Sequence, residues 1–368
     1  MRGAKNERME DVHWLVPTLA ATSCWALSDV CCDYAIAGGD DDDAPPPPDA
    51  SPQMKSQEKG DEQLSPEQNA VVSASVAAAA GLSLFAYQLK SKGATQTFDR
   101  DTAVAMAAGA VHFCAYAVEL RAFRTASSTV ITPLLQLSAV WMTLVRVIQP
   151  VAALMVSSGG SSMDEVMPTD FYVATAAMHP FHLAAIFLIF VGGFLPAAKG
   201  DVRKFGTCSF YKQEAVACCV IGELLICVYN ALLHACTFKR ADPASSVRRF
   251  CVAARAGNAL GCLFAVLCIP SFAHIRRVRR CGRRYVLIAF LGECLSVIGV
   301  AVVMLSYASF HEPAVVNAAE GGVQQLLNLL FAVSLRAFCG FGRAVTDVWT
   351  KLVSFALIAA GLALSAVS

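Results

Sequence analysis

Ten separate runs of about 20 mainly apolar residues dominate the chain, and a helix of that length crosses about 30 Å of hydrocarbon at about 1.5 Å per residue. They lie near 14–36, 69–89, 102–120, 129–151, 181–198, 214–237, 250–275, 285–309, 314–335 and 348–367. Charged or turn-forming stretches separate them, among them Lys90 to Asp101, Lys199 to Lys212, Lys239 to Arg249 and the basic run His274 to Arg284. The pattern predicts an all-α polytopic membrane protein with ten transmembrane helices. Composition agrees: 56% of residues are hydrophobic, 15% are charged, and the mean hydropathy is +0.53, well above a soluble globular norm. A net charge of +1 and the lack of a basic patch interleaved with aromatics give no basis for a nucleic-acid partner. The chain is therefore read as a multipass integral membrane protein, in a membrane that the sequence does not name.

The first run is read as a retained helix, because it carries Asp29 and Asp33 and has no clear small-residue cleavage site. Residues 1–36 are the N-terminus and helix one. Residues 37–68 are acidic, rich in proline and poor in large apolar groups, which predicts a disordered loop. Asp40 to Asp43 within it are consecutive and precede four prolines, so they read as a solvated run rather than a metal-binding array on a helix. Residues 69–198 hold helices two to five, 199–212 form a linker, and 213–368 hold helices six to ten. Most of the 15 cysteines fall inside the apolar runs, where cysteine acts as a small hydrophobe, and disulfides are not expected. No compact HExxH or paired CxxC motif is present, so neither a metal site nor a cofactor is expected.

The second half repeats the first. "SSTVITPLLQLSAVWMTL" from Ser127 aligns with "EPAVVNAAEGGVQQLLNL" from Glu312 at an offset of 185, and "LIFVGGF" from Leu188 aligns with "LIAAGLA" from Leu357 at 169. The Ser157 to Pro180 stretch accounts for the difference. Five helices per half is an odd number, which forces the second copy to enter the membrane upside down. Two inverted five-helix repeats are typical of secondary transporters.

The runs "WALSDV", "SSTVITPLLQLSAV", "LGECLSVIGVAVVMLSYASFHEPAVVNAAEG" and "LIAAG" resemble the drug/metabolite transporter superfamily, specifically its EamA-like ten-helix members. The resemblance implies transmembrane transport by paired inverted repeats, with the termini in the cytosol. The chain departs from the family where a Gly-Glu pair often follows helices four and nine, since "SSGGSSMDEV" and "GFGRAVTD" stand there.

Polar residues inside the apolar runs mark the candidate site. At about 100° per residue, Asn317, Glu320, Gln324 and Asn328 share an arc of about 90°, with Gln325 at its edge. Against lipid such a face is costly, near +3 kcal/mol for a central Asp on insertion scales, so it is expected to look inward. Trp25, Asp29 and Asp33 share a face of helix one, with Asp33 expected at the membrane interface. His112, Tyr116 and Glu119 share a face of helix three, and Glu223, Asn230 and His234 one of helix six. Arg255 on helix seven is expected to pair with an intramembrane carboxylate, because an unpaired buried guanidinium is very unfavourable. Gly257 and Gly261 form a GxxxG that predicts close helix packing. Glu320 and Glu293 are the preferred functional acids, since burial of a carboxyl group favours reversible proton binding. The candidates for binding substrate or proton are thus Glu320, Glu293, Asn317, Gln324, Asp29, Trp25, Glu119, Glu223 and Arg255.

Acids outnumber bases within the spans, which favours a cationic solute, a proton, or both. The expected function is secondary transport of a small metabolite through a central polar cavity by alternating access, and not catalysis. A multipass enzyme acting on a lipid and a transport-inactive receptor or scaffold are the alternatives, the enzyme without a nucleophile motif, P-loop or dinucleotide fingerprint to support it. The expected partners are a small-molecule substrate and the lipid bilayer, with a homodimer left open. Lys and Arg are more numerous on the side opposite the termini, a bias that would place both termini outside.

Overall fold

A computed structural model describes residues 15–38, 63–92, 100–137, 140–141, 180–237, 243–272, 281–309 and 313–367. These contain eleven helices and no strand. They are α1 (Leu15–Ala37), α2 (Pro66–Lys92), α3 (Arg100–Ala122), α4 (Ser128–Leu134), α5 (Pro180–Phe194), α6 (Cys208–Tyr211), α7 (Glu214–Thr237), α8 (Pro243–Cys268), α9 (Arg283–Ser309), α10 (Pro313–Cys339) and α11 (Val348–Val367). Six of them, α1, α3, α7, α8, α9 and α10, carry apolar stretches of 21 to 24 residues, long enough to cross a bilayer. The protein is a multipass integral membrane protein.

Helix starts follow local chemistry. At α2, Ser65 Oγ accepts from the Gln68 N–H at 3.2 Å and Gln68 Oε1 accepts from the Ser65 N–H at 2.8 Å. This reciprocal capping box precedes Pro66 at the first helical position, where its missing N–H costs nothing. The predicted loop 37–68 is thereby shortened at both ends. Ala37 closes α1, and Leu64 is buried with its N–H donating to Ala35 O at 3.0 Å. The proline-rich centre of that loop, Asp40 to Asp43 included, and the 157–179 stretch lie outside the described residues.

One expected span is interrupted and another is shorter than its apolar run. Within the run 129–151, α4 ends at Leu134 and a turn follows at 135–136 before helical residues return at 137 and 140–141, the rest of the run lying outside the described residues; Pro133 lacks the N–H that would extend the ladder and crowds the preceding turn. Helix α5 ends at Phe194 rather than near 198, where Pro196, Lys199 at φ 56° and Gly200 at φ 79° turn the chain. Helix α8 starts at Pro243, earlier than the expected 250, and the linker holds a 3-10 turn at Val202–Gly206 followed by α6.

Contacts close a ring. α1 packs between α9 and α10, α9 touches α2, α2 packs on α8, α8 on α3, and α3 on α7. The short α4 completes the circuit between α7 and α10, while α5 and α11 pair with each other beside α10 and α4. Large apolar side chains such as Leu263, Phe264, Leu267, Leu287, Phe290 and Ile298 are exposed on the outside, and Asn, Gln, Glu and Asp side chains are buried inside. A protein in water shows the reverse distribution, so lipid is the solvent this outer surface fits.

The GxxxG of α8 does bring backbones together. A Cβ at Gly257 would collide with the Met106 carbonyl, and one at Gly109 with that of Ala254; at Gly261 it would come within 3.2 Å of Ala110 Cα. Overfilled packing costs about 1–3 kcal/mol, and Gly257→Leu is expected to exceed that range because it meets backbone rather than a movable side chain. Thermal unfolding in nanodiscs should show this loss for Gly257→Leu, while Leu263→Ala on the lipid face leaves the midpoint nearly unchanged.

Candidate functional site

Asp29 is the hub of the interior. Its Oδ2 accepts from Gln324 Nε2 of α10 at 2.9 Å and from Thr132 Oγ1 of α4 at 3.1 Å. One turn nearer the N-terminus of α1, the Ala26 carbonyl accepts from Asn328 Nδ2 at 3.3 Å, and Trp25 Nε1 donates to Ser296 O of α9 at 3.3 Å. Three helices, α4, α9 and α10, thus converge on one face of α1, which is the face that the spacing of Trp25 and Asp29 defines. Thr132 is held by its own helix, and Gln136 Nε2 donates to the Thr132 carbonyl at 3.2 Å. Gln136 fits against α10 only because residue 321 is glycine, since any Cβ there would fall on the Gln136 side-chain amide.

A second polar group surrounds Arg255. Its Nη1 stands 3.9 Å from Glu293 Oε1, with both side chains nearly fully buried. The hydroxyls of Ser73 and Tyr116 stand beside the Glu293 carboxylate. Tyr116 Oη also meets Cys32 Sγ at 3.3 Å and Ser73 Oγ at 3.5 Å. His112 lies in the same region, its Nδ1 3.5 Å from Asn258 Nδ2 and its ring 4.8 Å from that of Tyr229. Arg255 therefore has the carboxylate partner expected of it. Glu293, read from the sequence as a functional acid, is occupied in neutralising that arginine.

The remaining candidates divide by position. Glu320 is buried on the inner side of α10, Glu223 is buried on α7, and Glu119 on α3 lies over Gly222 of α7. Asn317 falls within α10, but its side chain is outside the described ones, as is that of His234. Gln325 does not join Asp29: its Nε2 donates to Ser354 Oγ at 2.7 Å, and Ser354 donates to Gly192 O at 2.7 Å, binding α10, α11 and α5 together. Among the described residues, no group of three or more His, Cys, Asp or Glu is placed to hold a metal ion.

A cluster of contacts ties the helices together where α1 ends. Asp33, expected at the membrane interface, is buried within the protein near the end of α1. Its Oδ2 accepts from the Ser128 N–H at 2.9 Å, capping α4, and its Oδ1 stands 3.6 Å from Arg343 Nε. A carboxylate at a helix N-terminus meets both an orphan N–H and the positive end of the helix dipole, so the acid is stable there without water. Beside it the Tyr34 ring stacks on Phe341 at 4.2 Å, and the Arg284 guanidinium lies 5.2 Å from the Tyr34 ring centre and 5.0 Å from that of Tyr285.

No family model and no curated protein matches the chain. A solved structure described only as "Crystal structure of protein" is similar over 96% of this chain and 96% of its own, with 14% sequence identity and a TM-score of 0.50. At that identity the likeness concerns the fold alone.

Removing one partner of a buried ion pair costs about 3–5 kcal/mol, whereas replacing both by apolar groups is often near neutral. Arg255→Met alone should therefore destabilise the protein by that amount, and Arg255→Met with Glu293→Leu should recover most of it. Unfolding of the three proteins in nanodiscs decides the matter; a double variant as unstable as the single one would mean that Glu293 is not the balancing charge.

Proposed function

We propose that the protein is a secondary transporter of a small metabolite, working by alternating access through the polar centre around Asp29, with ten transmembrane helices arranged as two inverted five-helix repeats. The observation that carries the reading is the Asp29 carboxylate, which is bonded at once from Thr132 of the first half and Gln324 of the second. Movement of one half against the other must exchange these bonds, and a solute with hydrogen-bonding or cationic groups can take their place.

The packing supports the inverted repeat. Numbering the ten long segments in order, with α6 set aside, each helix of the first half corresponds to the one five places later. Under that exchange the α1 and α9 pair maps onto α7 and α3, and α1 and α10 onto α7 and α4, all of which pack together. The α2 and α8 pair and the α5 and α11 pair map onto themselves. The last pair is reciprocal at atomic scale. A Cβ at Gly192 would lie 2.7 Å from Ile358 Cγ1 and 3.0 Å from Ser354 O; one at Gly361 would lie 2.8 Å from Ile189 Cγ1 and 2.9 Å from Ala185 O. Partner positions differ by the same 169 residues that align "LIFVGGF" with "LIAAGLA", the signature of an approximate two-fold axis between the helices.

Charge favours a cationic solute. With Arg255 opposed by Glu293, the acids Asp29, Glu119, Glu223 and Glu320 outnumber Lys351, the other buried base among the described residues, a balance that favours cations over anions. In this reading the cluster of Asp33, Arg343, Tyr34 and Phe341 closes one end, as an occluded or one-sided state of an alternating-access cycle requires. The resemblance to EamA-like members of the drug/metabolite transporter superfamily fits this mechanism.

Proteoliposomes offered a pooled, mass-resolved metabolite mixture should accumulate one chemical class, rich in amines. Asp29→Asn should reduce that uptake at least about tenfold, equivalent to about 1.4 kcal/mol, while Arg121→Gln, which breaks only the partly exposed 3.2 Å pair with Glu67, leaves it in place. Absence of uptake by folded wild-type protein from a broad mixture would contradict the transport reading.

A further inference from the structure

Glu119 stands apart from both polar groups. It is 8% exposed, in the second half of α3, and its Oε1 has no hydrogen-bond partner among the described residues. Its side chain is pressed against α7, where a Cβ at Gly222 would lie 2.5 Å from Glu119 Cγ and 2.7 Å from Oε1. Among the described residues, the groups that face it are acidic or uncharged. α7 presents Cys219, within electrostatic reach of both Glu119 and Glu223, and α1 presents Asp29. The nearby bases are engaged: Arg255 of α8 faces Glu293, and Arg121 of α3 bonds Glu67 of α2 at 3.2 Å.

A carboxylate buried among other acids, with no cation beside it, is strongly disfavoured in a medium of low dielectric constant. Something positive must join it. A metal cation takes several oxygens, about six to eight for calcium, and among the described residues no group of three or more His, Cys, Asp or Glu is placed to supply them. A proton needs one oxygen. We propose that Glu119 is a proton-binding site of this protein, separate from the Asp29, Thr132 and Gln324 group that meets the solute. The assignment rests on the transport reading only for its use, which is to let a pH gradient act on a cycle whose solute site lies one helix away.

The acid surplus has a consequence for that use. Asp29 lies within electrostatic reach of Glu119, so a cation arriving at Asp29 repels a proton on Glu119, and loss of that proton strengthens the hold on the cation. Exchange of solute against proton follows from this mutual exclusion, and it requires no movement larger than the one that opens the ring.

Infrared difference spectroscopy of the full chain in nanodiscs, stepped between acidic and alkaline buffer with no solute present, reads the site directly. In the wild-type protein a protonated-carboxyl C=O band should appear on acidification, and Glu119→Gln should remove one carboxyl's share of it. If Glu119→Gln does not fold, Glu119→Asp keeps the acid in a shorter chain and should move the band to a new frequency. A band unchanged by either variant overturns the proposal, as does a band suppressed by sodium or potassium chloride at fixed pH, which would assign the site to a metal cation. Because no solute is used, an intact Glu119 band alongside absent uptake would defeat the transport reading and leave the proton site standing.

Discussion

Three helices meet at the Asp29 carboxylate of α1, which takes its donors from Thr132 of α4 and Gln324 of α10. A charged or strongly polar group in hydrocarbon must find partners within the protein, and Asp29 finds them on α4 and α10. Those two bonds hold one face of α1 against α4 and α10. Gly321 then allows Gln136 to lie flat between α4 and α10. A similar need is met at Arg255, whose charge faces Glu293 across the α8 and α9 contact.

The two ends of the ring differ in how they are held. Where α1 ends, Asp33 caps α4 and faces Arg343, and the stacked Tyr34 and Phe341 rings fill the space between α1 and the α10–α11 connection. These contacts join elements of both halves and are individually modest. Stacked aromatic pairs contribute about 0.5–1.5 kcal/mol beyond area burial.

Much of this was legible in the sequence, because membrane helices declare themselves by length and their buried faces by polar residues at helical spacing. The stripe of Gln324 and Asn328 meets Asp29 and Ala26 of the Trp25 and Asp29 face. The GxxxG of α8 marks a close crossing, and Arg255 has its acid. What escaped was local chemistry that looks unremarkable in a list of apolar residues. Thr132 and Gln136 sit four apart in "ITPLLQL", the spacing of one helix face, and that was the available signal for the Asp29 donor. Pro133 beside them announced the break in α4. "SPEQ" at Ser65 is a capping box hidden at the edge of a polar tract. The partner of Asp33 was not legible, because nearness to a helix end does not reveal that another helix begins against it. Glu293 and Glu119 look equivalent by burial and charge in sequence, and only the third dimension supplies an arginine to one and a glycine to the other.

The central claim is that one polar centre is reached from either side of the membrane. Reaction of an impermeant thiol reagent with Gln324→Cys, in a background with every native cysteine replaced, applied in turn to the outside and the lumen of sealed vesicles, tests it most directly. Labelling from both sides, each slowed by the transported solute class, is the predicted result. Labelling from one side alone would contradict alternating access and leave the centre as the floor of a one-sided pocket.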